Sequence, residues 1–178
     1  MPSKVKGLMD SAEGHEGIKR VEEYLKWGIE KYKEAPNADW SSQIIPYLAI
    51  ISHSTKEPHP CLTIRLTIQP NHVNSLGNLH GGCSSTIFDI CTTFVLQMIS
   101  RPGFWQFGGV SRTLNVTYLR PVPAGTVVDV ECEIVHAGQR LSALRGVVRK
   151  VNDDGSPGLV LALCEHNKVN TDPSPPKL

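Results

Sequence analysis

The segment from Gly81 to about Ser100 is apolar on nearly every side of a helix, and it constrains the fold more than any other part of the chain. It is as long as a membrane span, but it carries Asp89, Gln97 and six Ser or Thr residues, which favour a buried core helix. The sequence Arg101-Pro102-Gly103 ends it. Because a helix without a polar face must be covered by other elements, the rest of the chain has to supply that cover.

Strand patterns lie on both sides of this helix. Cys61 to Gln69 alternates strictly between apolar and polar residues, which is typical of a half-buried strand. Ile44 to Ser54 reads as a strand that Pro46 interrupts. Four further strands are predicted after the helix: Gly109–Leu119, Thr126–His136, Leu141–Val151 and Leu159–Lys168. The short turns between them imply an antiparallel sheet.

An amphipathic helix is predicted ahead of the sheet, from His15 to Lys33, where apolar residues recur at helical spacing. The order of elements predicts an α+β fold, with an antiparallel sheet of about six strands wrapped around one long central helix. We divide the chain into an N-terminal extension with the amphipathic helix (1–40), one domain (41–169) and a disordered Pro-rich tail (170–178). With no second layer on the far side of the central helix, pairing with another subunit is also expected.

Composition excludes several classes of function. A chain of 178 residues has the length of one domain with a substantial core. The formal net charge of +1, with acidic and basic residues intermixed, argues against a nucleic-acid-binding surface. The five cysteines form no C-x-x-C pair and are expected to be buried, reduced thiols and not disulfides or zinc ligands. The first thirty residues lack the apolar stretch of a secretory signal.

The sequence from Asn74 to Asp89, NSLGNLHGGCSSTIFD, carries the strongest functional signal. Its His-Gly-Gly triplet lies at the predicted start of the central helix, where free backbone N–H groups suit a developing negative charge. Asp89 is the one charged residue of that helix, and an isolated carboxylate among apolar side chains needs a partner or a task. The pattern indicates a site that polarises a carbonyl group and directs a nucleophile or base at it.

The order of elements and these motifs resemble the hotdog-fold acyl-CoA thioesterases of the phenylacetate-degradation (PaaI-like) type. The matching residues are NSLGNLHGG at 74–82, Asp89, and GGVSRTLNVTYLRP at 108–121, and the resemblance covers roughly Ile44 to Lys168. It implies hydrolysis of acyl-CoA thioesters to a free acid and CoA. It also implies a homodimer, assembled as a dimer of dimers, in which Asp89 acts on a substrate held largely by the opposite subunit. No metal and no cofactor are expected, since CoA is part of the substrate.

The resemblance also implies roles for individual residues. Gly81 would offer its backbone N–H to the thioester carbonyl and Asn74 would help to hold the same region, an arrangement typically worth ~3 kcal/mol per donor. Asp89 would be either a general base that activates water or the nucleophile itself. His80 would orient the carbonyl, and Ser111 would position Asp89 or the water.

A shallow groove at the subunit interface would hold coenzyme A. The matching positions are Gly82, Thr113, Tyr118, Arg120, His136, Gly138 and Arg140. Arginines suit its phosphates, whereas Arg112 stands where a small, acidic or apolar residue is expected. The acyl pocket is expected at Phe94, Val95 and residues 105–107. By strand alternation, Ser111 should share a face with Thr113, opposite Leu114, Val116 and Tyr118.

Other functions and a purely structural interpretation stay open. A non-catalytic acyl-CoA-binding module has the same fold, and a hotdog dehydratase or hydratase would pair a loop His with a helix carboxylate. Asn74 and the two glycines also suit a tight turn and a loop-to-helix junction. The expected location is the cytoplasm. The C-terminal Pro-Lys-Leu resembles the peroxisomal Ser-Lys-Leu signal, and a mitochondrial location is the further alternative.

Overall fold

The computed structural model describes residues 15–173, so the C-terminal Pro-Lys-Leu lies outside the described residues. In chain order, the regular elements are helix α1 (Ile18–Glu34), strands β1 (Ala49–Ser54) and β2 (Cys61–Thr67), helix α2 (Gly81–Gln97), and strands β3 (Val110–Tyr118), β4 (Val127–Ala137), β5 (Leu141–Val151) and β6 (Pro157–Val169). Short 3₁₀ helices span Trp40–Gln43, Ile45–Tyr47 and Pro70–His72. No helix in this part of the chain has the length and apolarity needed to cross a membrane.

The six strands form one antiparallel sheet in the order β1-β2-β4-β5-β6-β3. Helix α2 packs on one side of it, here called the inner face, and the opposite side is called the outer face. Strands β1 and β3 are the two edges. This architecture confirms the predicted α+β fold with one central helix and an N-terminal helix.

Alternation along the strands explains why one face of the sheet is buried. Leu62, Ile64 and Leu66 of β2 lie opposite Cys132, Val130 and Val128 of β4, and all six are at most 2% exposed. Burial of each large apolar side chain contributes about 1.5–3 kcal/mol. Helix α2 also lies close to the sheet at β5, because Phe88 of α2 contacts Gly146 of β5 directly.

Helix α1 packs beside α2 through its apolar stripe. Val21, Leu25, Gly28 and Tyr32 are buried, and Tyr24 meets Phe94 of α2 edge-on with ring centroids 5.2 Å apart. The Arg20 side chain donates a 2.7 Å hydrogen bond to the Gln106 carbonyl oxygen. The predicted amphipathic helix is therefore present, although it begins at Ile18 and not at His15.

The predicted strand from Ile44 to Ser54 is wrong in its first half. Residues 45–47 form a 3₁₀ helix, in which the Tyr47 and Leu48 N–H groups bond to the Ile44 and Ile45 carbonyls. Pro46 lacks the N–H that a strand would use but suits the first turn of a helix. Ile44 and Ile45 are buried, so this segment contributes to the core and the strand begins only at Ala49.

Two further expectations need correction. The tail was expected to be disordered from Asn170, but the Asn170 N–H bonds to the Arg140 carbonyl and the Asp172 carboxylate accepts hydrogen bonds from the Gln106 and Phe107 N–H groups. These bonds fix the first residues of the tail to the domain. All five cysteines are free, but Cys61 is exposed and Cys83 only partly buried.

Candidate active site

His80, the residue before helix α2, shapes the start of the helix. Its Nδ1 atom accepts a 3.0 Å hydrogen bond from the Gly82 N–H and so caps the helix. A Cβ atom at position 82 would lie 3.2 Å from this Nδ1, which explains the glycine. No group in residues 15–173 accepts a hydrogen bond from the Gly81 N–H. That N–H is therefore available to the carbonyl oxygen of a ligand.

Tyr118, the last residue of β3, fixes this strand to the first turn of α2. Its hydroxyl donates a 2.8 Å hydrogen bond to the Gly81 carbonyl oxygen and lies 2.9 Å from the Ser85 hydroxyl. The ring faces Gly81 closely, since a Cβ atom there would be 3.4 Å from the Tyr118 ring. The C-terminal end of β3 and the helix start therefore form one structural unit.

Asn74 organises the loop that leads to the helix. Its Oδ1 atom accepts hydrogen bonds from the N–H groups of Leu76 (2.9 Å) and Asn78 (3.3 Å), which is an Asx turn. This is the turn role that the sequence had left open. The Asn74 side-chain NH₂ group has no acceptor among residues 15–173, so its two donors remain for a ligand.

Asp89 lies at the end of a chain of hydrogen-bonded side chains. Its Oδ1 atom accepts a 2.6 Å hydrogen bond from the Ser111 hydroxyl. His166 of β6 places Nε2 2.9 Å from Ser111 Oγ and 3.4 Å from Asp89 Oδ1, and its Nδ1 lies 2.6 Å from Thr92 Oγ1. The His166 side chain is fully buried, whereas that of Asp89 is 44% exposed. The chain thus runs from the core to a carboxylate that solvent can reach.

The hydrogen bonds assign the Ser111 proton in this chain. An ionised Asp89 can only accept, so Ser111 donates to it and in turn accepts from the Nε2–H of His166. Thr92 donates its hydroxyl to the Phe88 carbonyl oxygen at 2.6 Å and also lies 2.6 Å from His166 Nδ1. Burial lowers the pKa of His166 to about 4, and the charge of Lys168 lowers it further while that of Asp89 opposes the shift.

A β-bulge at Arg112 overturns the predicted face of Ser111. Ser111 lies opposite Lys168 and Thr113 lies opposite Asn167, so the pairing of β3 with β6 shifts between them. Thr113 consequently bonds to the Asn167 side chain on the outer face, at 2.9 Å.

Ser111 shares the inner face with Leu114, Val116 and Tyr118, whose β6 partners are His166, Cys164 and Ala162. The bulge turns the Ser111 hydroxyl towards Asp89.

Sequence reasoning missed His166 and Lys168, although a signal for them was present. Ala162, Cys164, His166 and Lys168 alternate with Leu163, Glu165 and Asn167 along β6, and the first set is at most 4% exposed. Continuing the inward face beyond Cys164 would have placed the imidazole and the ammonium group inside the domain.

Within one chain, the Gly81 N–H and the Asp89 carboxylate are far apart. The two residues are eight positions apart on helix α2, which corresponds to ~12 Å along the helix axis. A thioester carbonyl oxygen and the nucleophile that attacks its carbon lie only about 3 Å apart. The structure therefore brings Asp89 together with Ser111, and Gly81 together with Tyr118, but does not bring the two pairs together.

The residues expected to hold coenzyme A fall into separate groups. Tyr118 and Gly82 lie at the helix start, and Arg120 follows β3 and donates to the Val160 carbonyl at 2.6 Å. His136 and Thr113 lie in one row across the outer face. Along this row, His136 lies opposite Ala143, Ala143 opposite Asn167, and Asn167 opposite Thr113. Gly138 and Arg140 lie in the turn after β4, where their carbonyls accept from Trp105 and Asn170.

Comparison with known proteins shows a similarity over slightly less than half of the chain. Residues 76–156 match the family model described as the thioesterase superfamily. Among curated proteins, acyl-coenzyme A thioesterase 13 of Mus musculus is 31% identical over 81 residues, which are 46% of this chain and 55% of the mouse protein. The chain thus spans about half the length of the curated relatives it matches.

Solved structures of thioesterases share the fold. Thioesterase superfamily member 2 from Mus musculus has a TM-score of 0.61 at 21% identity, over 82% of this chain and 96% of that chain. The PaaI protein of E. coli has a TM-score of 0.58 at 14% identity, over 83% and 98% of the two chains. These likenesses show that the chain shares the fold of these proteins, as predicted.

The segment that matches the family model contains most of the candidate site. His80, Gly81, Asp89 and Ser111 fall within residues 76–156, whereas Asn74 precedes this range and His166 follows it. The residues outside the range are tied to it by hydrogen bonds, Asn74 through the loop and His166 through Ser111. The geometry therefore extends the site beyond the matched segment.

The residues where an acyl pocket was expected are buried in this chain. Phe94, Val95 and Trp105 are at most 2% exposed, and Tyr24 of α1 covers Phe94. Trp105 adopts a φ of 55° and donates a 2.8 Å hydrogen bond to the Gly138 carbonyl. Burial raises the pKa of the Cys83 thiol, near the helix start, to about 11, which disfavours the thiolate form.

Proposed function

We propose that this protein hydrolyses acyl-CoA thioesters to a free carboxylic acid and CoA. The observation that carries the proposal is the Asp89 carboxylate, which is accessible to solvent and holds Ser111 through Oδ1. Its Oδ2 atom accepts no hydrogen bond from residues 15–173 and is free to bind water. The similarity to a mouse protein named acyl-coenzyme A thioesterase 13 supports the substrate class.

The carboxylate supplies the chemistry that hydrolysis needs. A water molecule held by Oδ2 gives its proton to Asp89 as its oxygen adds to the carbonyl carbon. The C–S bond then breaks, the acid is released, and the CoA thiolate takes up a proton. Direct attack by Asp89 forms a mixed anhydride that water cleaves to the same products. Both routes use an ionised carboxylate whose orientation is set by Ser111.

The start of α2 supplies the second requirement, stabilisation of the negative charge on the carbonyl oxygen. The Gly81 N–H has no acceptor within the described chain and lies at the positive end of the helix. The Asn74 amide group provides further donors from the adjacent loop. Such donors typically contribute ~3 kcal/mol each to the stability of the transition state.

We infer that each active site is built from two copies of the chain. Gly81 and Asp89 of one chain are ~12 Å apart and cannot act on the same carbonyl group. Strand β3 is an edge of the sheet and is free to pair with a second β3. In an antiparallel pair centred near Leu114, the Tyr118 end of one β3 lies beside the Ser111 end of the other.

This pairing brings the two halves of the site together. Because Tyr118 bonds to Gly81 and Ser111 bonds to Asp89, a β3–β3 contact places the carbonyl-binding N–H of one copy near the carboxylate of the other. CoA would extend from there over the turn after β4, where Arg140 and His136 are exposed. Arginine suits its phosphates. The proposed reaction calls on neither a metal nor a further cofactor.

The proposal is tested by the release of free CoA thiol from a panel of short, long and aromatic acyl-CoAs. The wild-type chain should release CoA, and Asp89→Asn should lower kcat by about 10²–10⁴-fold, because an amide is not a base. Asp153→Asn removes an exposed carboxylate in the turn after β5 and is the matched control, with full activity expected.

Other results would contradict the proposal. Full turnover by Asp89→Asn would show that the carboxylate has no part in the reaction. Tight binding of several acyl-CoAs without CoA release would favour a non-catalytic binding module. Addition of water to an enoyl-CoA, without CoA release, would favour a hydratase.

A further inference from the structure

His166 is the buried end of the hydrogen-bonded chain that reaches Asp89. Its side chain is fully buried, yet both ring nitrogens have partners, since Nε2 lies 2.9 Å from Ser111 Oγ and Nδ1 lies 2.6 Å from Thr92 Oγ1. Across the sheet it lies opposite Leu114 of β3 on one side and Leu144 of β5 on the other. The contacts to two neighbouring strands and to α2 therefore fix both the place and the plane of the imidazole.

Ser111 has a single hydroxyl proton, and the direction of that proton matters for Asp89. The hydroxyl donates to Asp89 Oδ1 at 2.6 Å. A serine hydroxyl turns to suit its surroundings, so a donor that occupies its oxygen restricts where its proton can point. Among residues 15–173, His166 is the only side chain that donates to Ser111 Oγ. This donation needs a proton on Nε2, which both the charged ring and one neutral tautomer carry.

We propose that His166 is a positioning residue for the proposed hydrolysis. By donating to Ser111 Oγ, its Nε2–H directs the Ser111 proton to Asp89 Oδ1, and Asp89 is held with Oδ2 turned to the substrate side. His166 is fully buried and acts only through Ser111. The contribution of His166 to catalysis rests on the proposed thioesterase function, whereas its hold on Ser111 does not.

A histidine that only fills the core would behave differently from a positioning residue. Its loss would lower the stability of the fold, and any effect on turnover would be independent of Ser111. If His166 acts through Ser111, its loss matters only while the Ser111 hydroxyl is present. A double-mutant cycle separates the two cases, because groups that act through each other have effects that do not add.

The cycle compares CoA release by the wild-type chain, His166→Phe, Ser111→Ala and the double variant. Ser111→Ala should lower kcat by about 10–100-fold with little change in KM, the range for a hydrogen bond to a charged group. His166→Phe keeps a planar ring but removes the donor, and should lower kcat by a factor no larger than that. The double variant should be as active as Ser111→Ala alone. A double variant whose loss equals the product of the two single losses would overturn the proposal, as would full kcat in a folded His166→Phe chain.

Two amide substitutions form a matched pair at the same position. His166→Gln places an N–H near the position of Nε2 and should recover most of the activity that His166→Phe loses. His166→Asn carries the same amide on a side chain that is one CH₂ group shorter, so it should stay as slow as His166→Phe. This polar variant also completes the cycle with Ser111→Ala if His166→Phe does not fold. Ile64→Val trims a buried side chain of β2 and should keep wild-type kcat.

Crystal structures of the variants test the hold on Ser111 without any substrate. In His166→Phe and His166→Asn, Ser111 Oγ should move out of hydrogen-bond distance from Asp89 Oδ1, whereas in His166→Gln it should stay in place. A Ser111 hydroxyl that keeps its contact with Asp89 in the first two variants would overturn the proposal. If the wild-type chain released no CoA, the thioesterase function would fail, while these structures would still decide whether His166 positions Ser111.

Discussion

At the scale of single residues, the N–H group of Gly81 can be removed selectively. Gly81→Pro deletes this donor at the first helical position, where proline is well tolerated. The ψ angle of 134° at His80 already suits a residue that precedes proline. We expect kcat for CoA release to fall about 10²–10³-fold, since one donor to the developing oxyanion is lost.

Gly81→Ala is the matched control for this variant. It keeps the N–H and adds the same Cβ atom, which would lie 3.4 Å from the Tyr118 ring. Gly81→Ala should retain most of the activity, and thermal unfolding by circular dichroism should show both variants folded. If the two variants lost activity equally, the contact with Tyr118 and not the N–H would be responsible.

The candidate residues predicted from sequence belong to local motifs, and those that were missed depend on strand pairing. Asp89 and Gly81 lie on one helix, so their spacing was readable directly. Ser111 was predicted as a candidate, but the face of β3 predicted for it was wrong. The β-bulge that changes this face arises from the pairing of β3 with β6, which no local pattern reveals. His166 and Lys168 gain their positions from the same pairing.

At the scale of elements, the approach of α2 to the sheet depends on Gly146. A Cβ atom at this position of β5 would lie 2.7 Å from Cδ1 of Phe88, which is fully buried and adjacent to Asp89. We expect Gly146→Ala to lower the free energy of unfolding by about 1–3 kcal/mol, because the overpacked helix cannot retreat without losing other contacts. Urea denaturation at neutral pH measures this loss.

A second substitution tests whether this contact is the cause. Phe88→Leu removes ring atoms at the point of overlap, so the double variant Gly146→Ala/Phe88→Leu should be more stable than the sum of the two single effects predicts. Strict additivity, or a Gly146→Ala chain as stable as the wild type, would show that α2 adapts freely to the sheet.

Most elements were predictable because their hydrophobic periods are regular. The central helix and strands β2 to β6 lie within about three residues of their predicted bounds. Ile44 to Tyr47 was misread because its apolar residues are buried in a 3₁₀ helix, where burial does not follow the alternation of a strand. Tertiary packing outweighed the local signal there.

At the scale of the whole molecule, the sequence predicts a sheet around a helix but not the order of its strands. Local patterns predict pairing between strands that follow each other along the chain, such as β4 and β5. The pairing of β3 with β6 instead joins strands that are separated by some 50 residues of sequence. This placement leaves β3 as an edge and sets Ser111 and Tyr118 at its two ends. The proposed two-chain site follows from that arrangement.

A mixture of two inactive variants tests the two-chain site directly. Gly81→Pro lacks the carbonyl-binding N–H and Asp89→Asn lacks the carboxylate, so neither homodimer has a complete site. In a mixed dimer, one of the two sites combines the intact Gly81 of one chain with the intact Asp89 of the other. Random pairing of equal amounts makes half of the dimers mixed, so the whole mixture should recover about a quarter of the wild-type activity and isolated mixed dimers about half.

Co-expression with two different affinity tags yields the mixed dimers, and their CoA release is compared with that of each parent. Gly81→Ala co-expressed with Asp153→Asn is the control and should give wild-type activity, since every site is complete. Activity of the mixed dimers no higher than that of the parents would mean that Gly81 and Asp89 do not meet across the β3 edge. Recovery would require that pairing, because the ~12 Å between the two groups within one helix rules out a shared carbonyl in a single chain.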